Sequence, residues 1–152
     1  MADRWPPSRK APRKFGRPAH DRLRIAWIGD GFRNSVEAQT TIDLMELQDR
    51  GRFETFGVSL SADDGSPIRT RMIKAFEHFI DAYDKSDSEI ACWLREREID
   101  IAVAVAPEMG DWRSGIIADR IAPLQVNLGY PGALGTRLFD YTIADRHTVP
   151  DE

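Results

Sequence analysis

The stretch that most narrows the fold is Ile99-Asp100-Ile101-Ala102-Val103-Ala104-Val105-Ala106. Small and β-branched residues follow one another almost without polar interruption, the pattern of a strand buried on both faces. Such a strand belongs to a parallel sheet, and parallel neighbours need crossover helices that cover each face. Pro107 stops the run, because it has no amide to give to a ladder.

The rest of the chain supplies strands and crossovers in the right order. Leu23 to Ile28 is a short β-prone run that ends on Gly29-Asp30-Gly31, a turn signal. Ser35 to about Asp49 has mostly helical apolar spacing through Val36, Ile42, Leu44, Met45 and Leu47, with Gly51 placed as a C-cap glycine. Phe53 to Leu60 alternates as a second strand, followed by a turn-forming segment from Ser61 to Pro67. Ile68 to Phe79 reads as a helix, with a brief strand beginning at Phe79-Ile80-Asp81. Ser86 with Glu89 three residues on forms a capping box for a helix to Glu98. A further helix over 112–121, a strand at Leu124–Leu128 and a last strand at Phe139 to Ala144 complete the pattern. The predicted class is α/β, a Rossmann-like, doubly wound and mostly parallel sheet. Ligands in such sheets sit beyond the carboxyl ends of the strands. The loops 29–35, 61–67, 107–111 and 129–135 should therefore share one rim.

At 152 residues, with 41% hydrophobic and 30% charged residues, the chain matches one ordinary domain, taken as residues 23–152. Ahead of it lies a basic, Pro-rich leader. Residues 1–24 carry eight Lys and Arg against Asp3 and Asp21, a net of +6, which leaves −10 for the remainder. Residues 1–22 have no apolar face to dock and are expected to be disordered. Trp5 and Phe15 are their only rings, too few to interleave with bases, so no nucleic-acid partner is expected. No run approaches the ~18 apolar residues of a membrane span and no secretory core is present, which makes the cytoplasm the expected compartment. The single cysteine, Cys92, falls in a helical pattern and is read as a core thiol with no metal-site spacing around it.

Several loops carry groups that bear on chemistry. Gly29-Asp30-Gly31 begins like a phosphate-cradling loop, but the third small position holds Asn34 and no acid follows the second strand at dinucleotide spacing. A generic nucleotide-binding domain is disfavoured on that ground. Asp63-Asp64-Gly65 offers two hard oxygen ligands, yet nothing nearby completes a metal shell, and a solvated Asp-Gly turn explains it. His78 lies near the end of a helical segment and His147 near the chain terminus, and neither is taken as an acid–base group. For Glu108 and Asp111 two readings stand side by side: a general base or sugar-hydroxyl acceptor, or a polar surface loop. The most informative stretch is Leu128-Gly129-Tyr130-Pro131-Gly132-Ala133-Leu134-Gly135, whose three glycines and proline fix an unusual backbone path and expose main-chain amides.

These segments resemble glycosyltransferase family 41, the protein O-GlcNAc transferases and their SPINDLY-like relatives. Ala122-Pro123-Leu124-Gln125 followed by Leu128-Gly129-Tyr130-Pro131-Gly132 is similar to the family's Ala-Pro-(Ile/Val)-Gln segment and Leu-Gly-Tyr-Pro-Gly loop. Phe139-Asp140-Tyr141-Thr142-Ile143-Ala144-Asp145 is similar to its Met-Asp-Tyr-Ile-Ile-Thr-Asp strand. Leu23 to Ile28, Phe53 to Gly65, His78 to Asp81 and Asp100 to Val105 follow in matching order, so the likeness covers about residues 23–152. It implies one lobe of a GT-B enzyme with two Rossmann-like lobes. The second lobe would hold most contacts to UDP, and the first would shape the sugar and acceptor side.

By that resemblance the chain is the N-terminal lobe of a UDP-GlcNAc-dependent protein O-GlcNAc transferase. The sugar nucleotide is its implied donor, no separate cofactor or metal is expected, and a protein is the acceptor. A C-terminal nucleotide-binding lobe is the missing partner, no membrane partner is expected, and the chain alone is expected to be inactive. The TPR helices that usually precede the lobe do not appear in the sequence. The candidate substrate-binding residues are Gly31, Asn34, Glu108, Leu128, Gly129, Tyr130, Pro131 and Gly132. None is assigned as catalytic. The family pattern Asp-(Phe/Leu)-Arg-x-His-Ser-Val appears here as Asp30-Gly31-Phe32-Arg33-Asn34-Ser35-Val36, so Asn34 takes the His position. A carboxamide does not accept a proton near neutral pH. Ala106-Pro107-Glu108-Met109 likewise replaces the family's Ala-Gly-(His/Tyr)-Thr turn. These departures keep a second expectation open, a degenerate non-catalytic lobe that acts as a binding or regulatory module.

Overall fold

The computed structural model describes residues 20–107, 112–129 and 138–145. Along the chain run β1 Leu23–Gly29, α1 Val36–Glu46, β2 Phe53–Ser59, α2 Pro67–Ala75 and β3 His78–Asp81. These are followed by α3 Asp87–Glu96, β4 Ile101–Val105, α4 Ser114–Ala118, β5 Leu124–Leu128 and β6 Tyr141–Ile143. The strands form one sheet in the order β3-β2-β1-β4-β5-β6, and each of its pairings is parallel. This is the doubly wound α/β architecture expected from the sequence, with the chain reversing direction across the sheet between β1 and β4.

The alternation of side chains along β1 shows why the strands had to be apolar throughout. Ile25 and Trp27 face α1 and α2, where they meet Ala38, Ile42, Met45, Met72 and Ala75. Ala26 and Ile28 face the other way, toward Ile90, Ala91 and Leu94 of α3 and Ile116 and Ile117 of α4. In β4, Val103 and Val105 join the first layer and Ala102 the second. Each large side chain buried this way contributes about 1.5–3 kcal/mol, and two cores share the one sheet.

A serine begins each of the first three helices. Ser35 Oγ accepts from the Ala38 amide at 3.0 Å and Ser66 Oγ from the Arg69 amide at 3.2 Å. Ser86 Oγ accepts from the Glu89 amide at 3.3 Å while the Glu89 carboxylate accepts from the Ser86 amide at 2.7 Å, which is the capping box read from the sequence. These caps satisfy amides that would otherwise be orphaned and turn three helix N-termini toward the carboxyl ends of the strands.

Several boundaries differ from the sequence reading. The helix predicted over 68–79 stops at Ala75, because Phe76 turns extended (φ −100°, ψ 150°) and the chain pairs with the open edge of β2. Sheet pairing there overrides helical periodicity. His78 therefore lies on β3 and not in a helix, with its ring stacked on Phe56 at 4.5 Å and its Nε2 2.9 Å from Glu54 Oε1. Helix α1 ends at Glu46, and Gly51 closes an Asp49-anchored turn through its amide (2.9 Å to Asp49 Oδ1) instead of capping the helix. Of the apolar residues counted for that helix, Val36, Leu44 and Leu47 are exposed, and the core face is Ala38, Ile42 and Met45. Cys92 is exposed and not a core thiol, since it falls on the solvent side of α3. Its Sγ donates to Glu96 Oε1 at 3.4 Å, and that carboxylate pushes the thiol pKa up and keeps it protonated. Helix α4 and strand β6 are shorter than predicted. Arg120, at φ 50°, ends the helical turn and binds the Asp140 carboxylate just before β6.

Of the leader, residues 20–22 are described. Arg22 Nη1 bonds Glu77 Oε1 at 2.9 Å and the Arg50 carbonyl at 2.8 Å, beside the amino ends of the strands. The rest of that segment, with its predicted disorder, lies outside the described residues. No helix among the described residues is long and apolar enough to cross a membrane.

Gly57 on β2 is the tightest point in the α1/α2 layer. A Cβ there would stand 2.5 Å from Phe76 Cδ2 and 2.8 Å from Phe79 Cδ2. Gly57→Ala is expected to lower folding stability by about 1–3 kcal/mol through overpacking, read from the urea midpoint at unchanged slope.

Candidate functional site

Because the strands are parallel, their carboxyl ends form a common rim. An open cleft of about 880 Å³ lies on it, over β1, β2 and β3. Asp30 and Arg33 line it from the loop after β1, Leu60 to Asp64 from the loop after β2, and Tyr83 to Ser86 with Glu89 from the loop and helix after β3. Arg113, at the start of α4, closes one side. Its guanidinium bonds Asp87 Oδ1 at 2.7 Å and the carbonyls of Lys85 and Ala82, so it fastens the β3–α3 loop instead of standing free in the cleft.

Beneath the cleft sits Arg69, only 2% exposed. It is a buried residue of α2. Nη1 donates to the Phe32 carbonyl at 2.7 Å and to Ser59 Oγ, and Nη2 to Asp81 Oδ2 at 2.9 Å. Nε faces Asp63 Oδ1 at 3.8 Å, and the guanidinium lies over the Phe79 ring at 4.9 Å. One planar group thus ties the loop after β1 to the ends of β2 and β3, a use that suits the fixed donor fork of arginine. The apolar positions that predict the helix over 68–79 are Ile68, Met72, Ile73, Phe76 and Phe79, and Arg69 is not among them. The signal was present: Arg69, Met72 and Phe76 are spaced i, i+3, i+7, which places a charge on the apolar stripe.

A second tie crosses the mouth of the cleft. Asp64 Oδ2 accepts from the Asn34 amide at 2.7 Å and Oδ1 from the Ser66 amide at 3.0 Å. The Asn34 amide, then Ser66, hold the carboxyl down to a pKa of about 2. Asp64 is therefore a fixed anion at neutral pH, unsuited to act as a base. Asp63 Oδ1 accepts from the Gly65 amide at 2.8 Å, so both carboxylates of the Asp-Asp-Gly turn serve backbone amides.

The predicted site residues are placed unevenly. Asn34 is exposed at the rim, and its Oδ1 accepts from Gln39 Nε2 at 3.2 Å. Gly31 is buried; its carbonyl accepts from Ser35 Oγ at 2.7 Å, and the space of a side chain is filled by Glu37 and Ser35. It shapes the turn from below and does not present an open amide cradle. Leu128 pairs with Val105 and Ile143, and Gly129 follows it at φ 137° with its amide bonded to the Ile143 carbonyl at 3.2 Å. The glycine-specific backbone expected there is present at Gly129. Leu128 lies at the same end of the sheet as Gly29, with β4 between them, but neither Leu128 nor Gly129 lines the cleft. Glu108, Tyr130, Pro131 and Gly132 lie outside the described residues, as do Asp111 and His147. Between β1 and β5, Ala106 follows β4 in a left-handed conformation (φ 45°), held by its amide bond to the Leu128 carbonyl at 2.8 Å.

Two measurements check this geometry. The Asp64 carboxyl, followed by NMR, is expected to titrate near pH 2, and Asp64→Asn to abolish that step. Its folded pKa lies below the unfolded value, so its stabilising contribution is full above about pH 4 and is lost as pH falls through about 2. Ala106→Gly is expected to raise stability by roughly 0.5–1 kcal/mol by relieving the positive φ, read from thermal or urea unfolding.

Comparison with known proteins places this geometry in a lineage. A UDP-N-acetylglucosamine--peptide N-acetylglucosaminyltransferase of Caenorhabditis elegans is 33% identical over 136 residues, covering 85% of this chain and 11% of that protein. The probable UDP-N-acetylglucosamine--peptide N-acetylglucosaminyltransferase SEC of Arabidopsis thaliana is 30% identical over 130 residues, covering 85% of this chain and 13% of its own length. A solved O-GlcNAc transferase from Thermobaculum terrenum superposes with a TM-score of 0.82 at 26% identity, over 93% of this chain and 28% of that one. The chain thus spans about a tenth of the curated relatives and about a quarter of the solved one. The family model described as Glycosyl transferase family 41 matches residues 7–152, and the chain belongs to that family.

Proposed function

We propose that these residues form the first lobe of a UDP-GlcNAc-dependent protein O-GlcNAc transferase, the lobe that shapes the sugar and acceptor side, and that they do not catalyse transfer by themselves. The observation that carries this reading is the match to glycosyltransferase family 41 along residues 7–152, joined to a cleft at the carboxyl rim where sheets of this kind bind ligands. In the reaction, the acceptor hydroxyl oxygen attacks the anomeric carbon of the sugar, UDP leaves with the bonding pair, and the hydroxyl proton is released to the departing phosphate or to solvent. Asn34 would contribute hydrogen bonds and no proton transfer, since its carbonyl end is engaged by Gln39 and its amide end is a donor. The segments around Glu108 and from Leu128 through Gly129, Tyr130 and Pro131 to Gly132 would complete the sugar-facing surface on the β4–β5 side.

One observation favours a second reading, a non-catalytic lobe that binds a partner or glycan. The position where the family pattern has a histidine holds Asn34, and the strand-end turn Ala106-Pro107 departs from the family's as well. In either case a two-lobed site that lacks most of its donor contacts loses the positioning on which transfer depends. The pure 152-residue chain, incubated with radiolabelled UDP-GlcNAc and a protein acceptor, is expected to give no incorporation above a boiled control. Incorporation above that control would contradict the proposal.

A further inference from the structure

We propose that Arg69 is a positioning residue: by holding the Phe32 carbonyl from beneath, it fixes the loop that carries Asn34 at the mouth of the cleft. Its meaning for transfer rests on the transferase reading above; the position of the loop does not.

Asn34 lies two residues beyond Phe32 and is held from two directions. From below, Arg69 Nη1 reaches the Phe32 carbonyl at 2.7 Å, and the same guanidinium is locked by Ser59 and by Asp81 at 2.9 Å. From the side, Asp64 accepts the Asn34 amide at 2.7 Å. The two ties converge, because Asp63, next to Asp64, faces Arg69 Nε at 3.8 Å. Ser59 and Asp81 pair with each other in the β2–β3 register, so the arginine is anchored to the rigid sheet and not to another loop. It transmits the position of the sheet to the rim. Lysine keeps the charge at residue 69 but presents a tetrahedral ammonium on a shorter reach. It cannot reach the loop carbonyl of Phe32 together with Ser59 and Asp81 at the ends of β2 and β3 in one plane. Arg69→Lys should therefore loosen the loop without introducing a buried apolar defect. The competing explanation is that the Phe32 ring, packed 5.9 Å from Phe76 and 6.5 Å from Phe79, holds the loop alone.

The test uses the full 152-residue chain and reads position instead of turnover. In Arg69→Lys, amide exchange of the β1 and β4 core should stay within a few-fold of the parent, while the Asn34 amide exchanges at least ten-fold faster. The Asp64 carboxyl titration should move up toward the ordinary carboxylate range as its contact with Asn34 loosens. Unchanged Asn34 exchange and unchanged Asp64 titration in a folded Arg69→Lys protein would overturn the proposal and leave the Phe32 ring as the anchor. Should the lysine variant not fold, Ser59→Ala and Asp81→Asn each remove one anchor of the guanidinium. A smaller shift in the same direction at Asn34 and Asp64 supports the proposal, and no shift in either variant overturns it. Loss of transferase activity plays no part in these readouts, so failure of the functional reading would leave this result standing.

Discussion

A charge placed under a sheet rim is the constraint around which the cleft is organised. Burying a guanidinium is costly unless its donors are met: Arg69 Nη1 and Nη2 are met by a backbone carbonyl in the loop after β1, a hydroxyl at the end of β2 and a carboxylate at the end of β3, while Nε has no hydrogen-bond partner among the described residues and faces Asp63 at 3.8 Å. That arrangement is possible because Gly57 has no side chain. The rings of Phe76 and Phe79 close over it and form the apolar shelf on which the guanidinium lies. A glycine in β2 thus makes room for two aromatics, and these support an arginine that in turn fixes the loop after β1. Removing Arg69 would leave several acceptors without their donor, which is why a buried ion network is more a device for specifying geometry than a simple source of stability.

The sheet does the rest of the positioning. Parallel strands bring every βα loop to one end, and the serine caps set the first three helices so that their N-termini approach it. The site nevertheless lies off-centre. The described cleft spans β1 to β3, while Leu128 and Gly129 at the end of β5 are separated from it by β4 and the strained Ala106. The part of the rim that follows β1, β2 and β3 is tied down by Arg69 and Asp64. The family 41 relatives it matches are several times longer than this chain.

The fold was legible in the sequence because its strongest signals are physical necessities. The doubly apolar run from Ile101 to Val105 demanded cover on both faces, Ser86 with Glu89 declared a helix start, and Leu124 to Leu128 paired over the span expected of it. What was not legible depended on contacts distant in sequence. Nothing local tells Phe76 to leave the helix. The reason is the vacant edge of β2 and the space above Gly57. Missing that boundary displaced His78 into a helix and hid the loop after β3, so Tyr83, Lys85 and Ser86 were not placed on the rim. Asp63-Asp64-Gly65 was recognised as a turn, but that Asp64 grips the Asn34 amide thirty residues away could be seen only in three dimensions. Among the candidate substrate residues, Asn34 is exposed at the rim, the Gly31 carbonyl accepts from Ser35 Oγ and the Gly129 amide donates to the Ile143 carbonyl.

The central claim, that the carboxyl rim is the face a second lobe closes over, is tested most directly by amide exchange on the isotopically labelled chain with and without the C-terminal remainder of the Thermobaculum terrenum transferase and UDP. Protection gained at residues 31–34, 60–66 and 83–86, with no change around Arg22, Gly51 and Glu98 at the amino ends of the strands, is the predicted result. Protection confined to the amino-end residues, with the rim loops unchanged, would contradict the account.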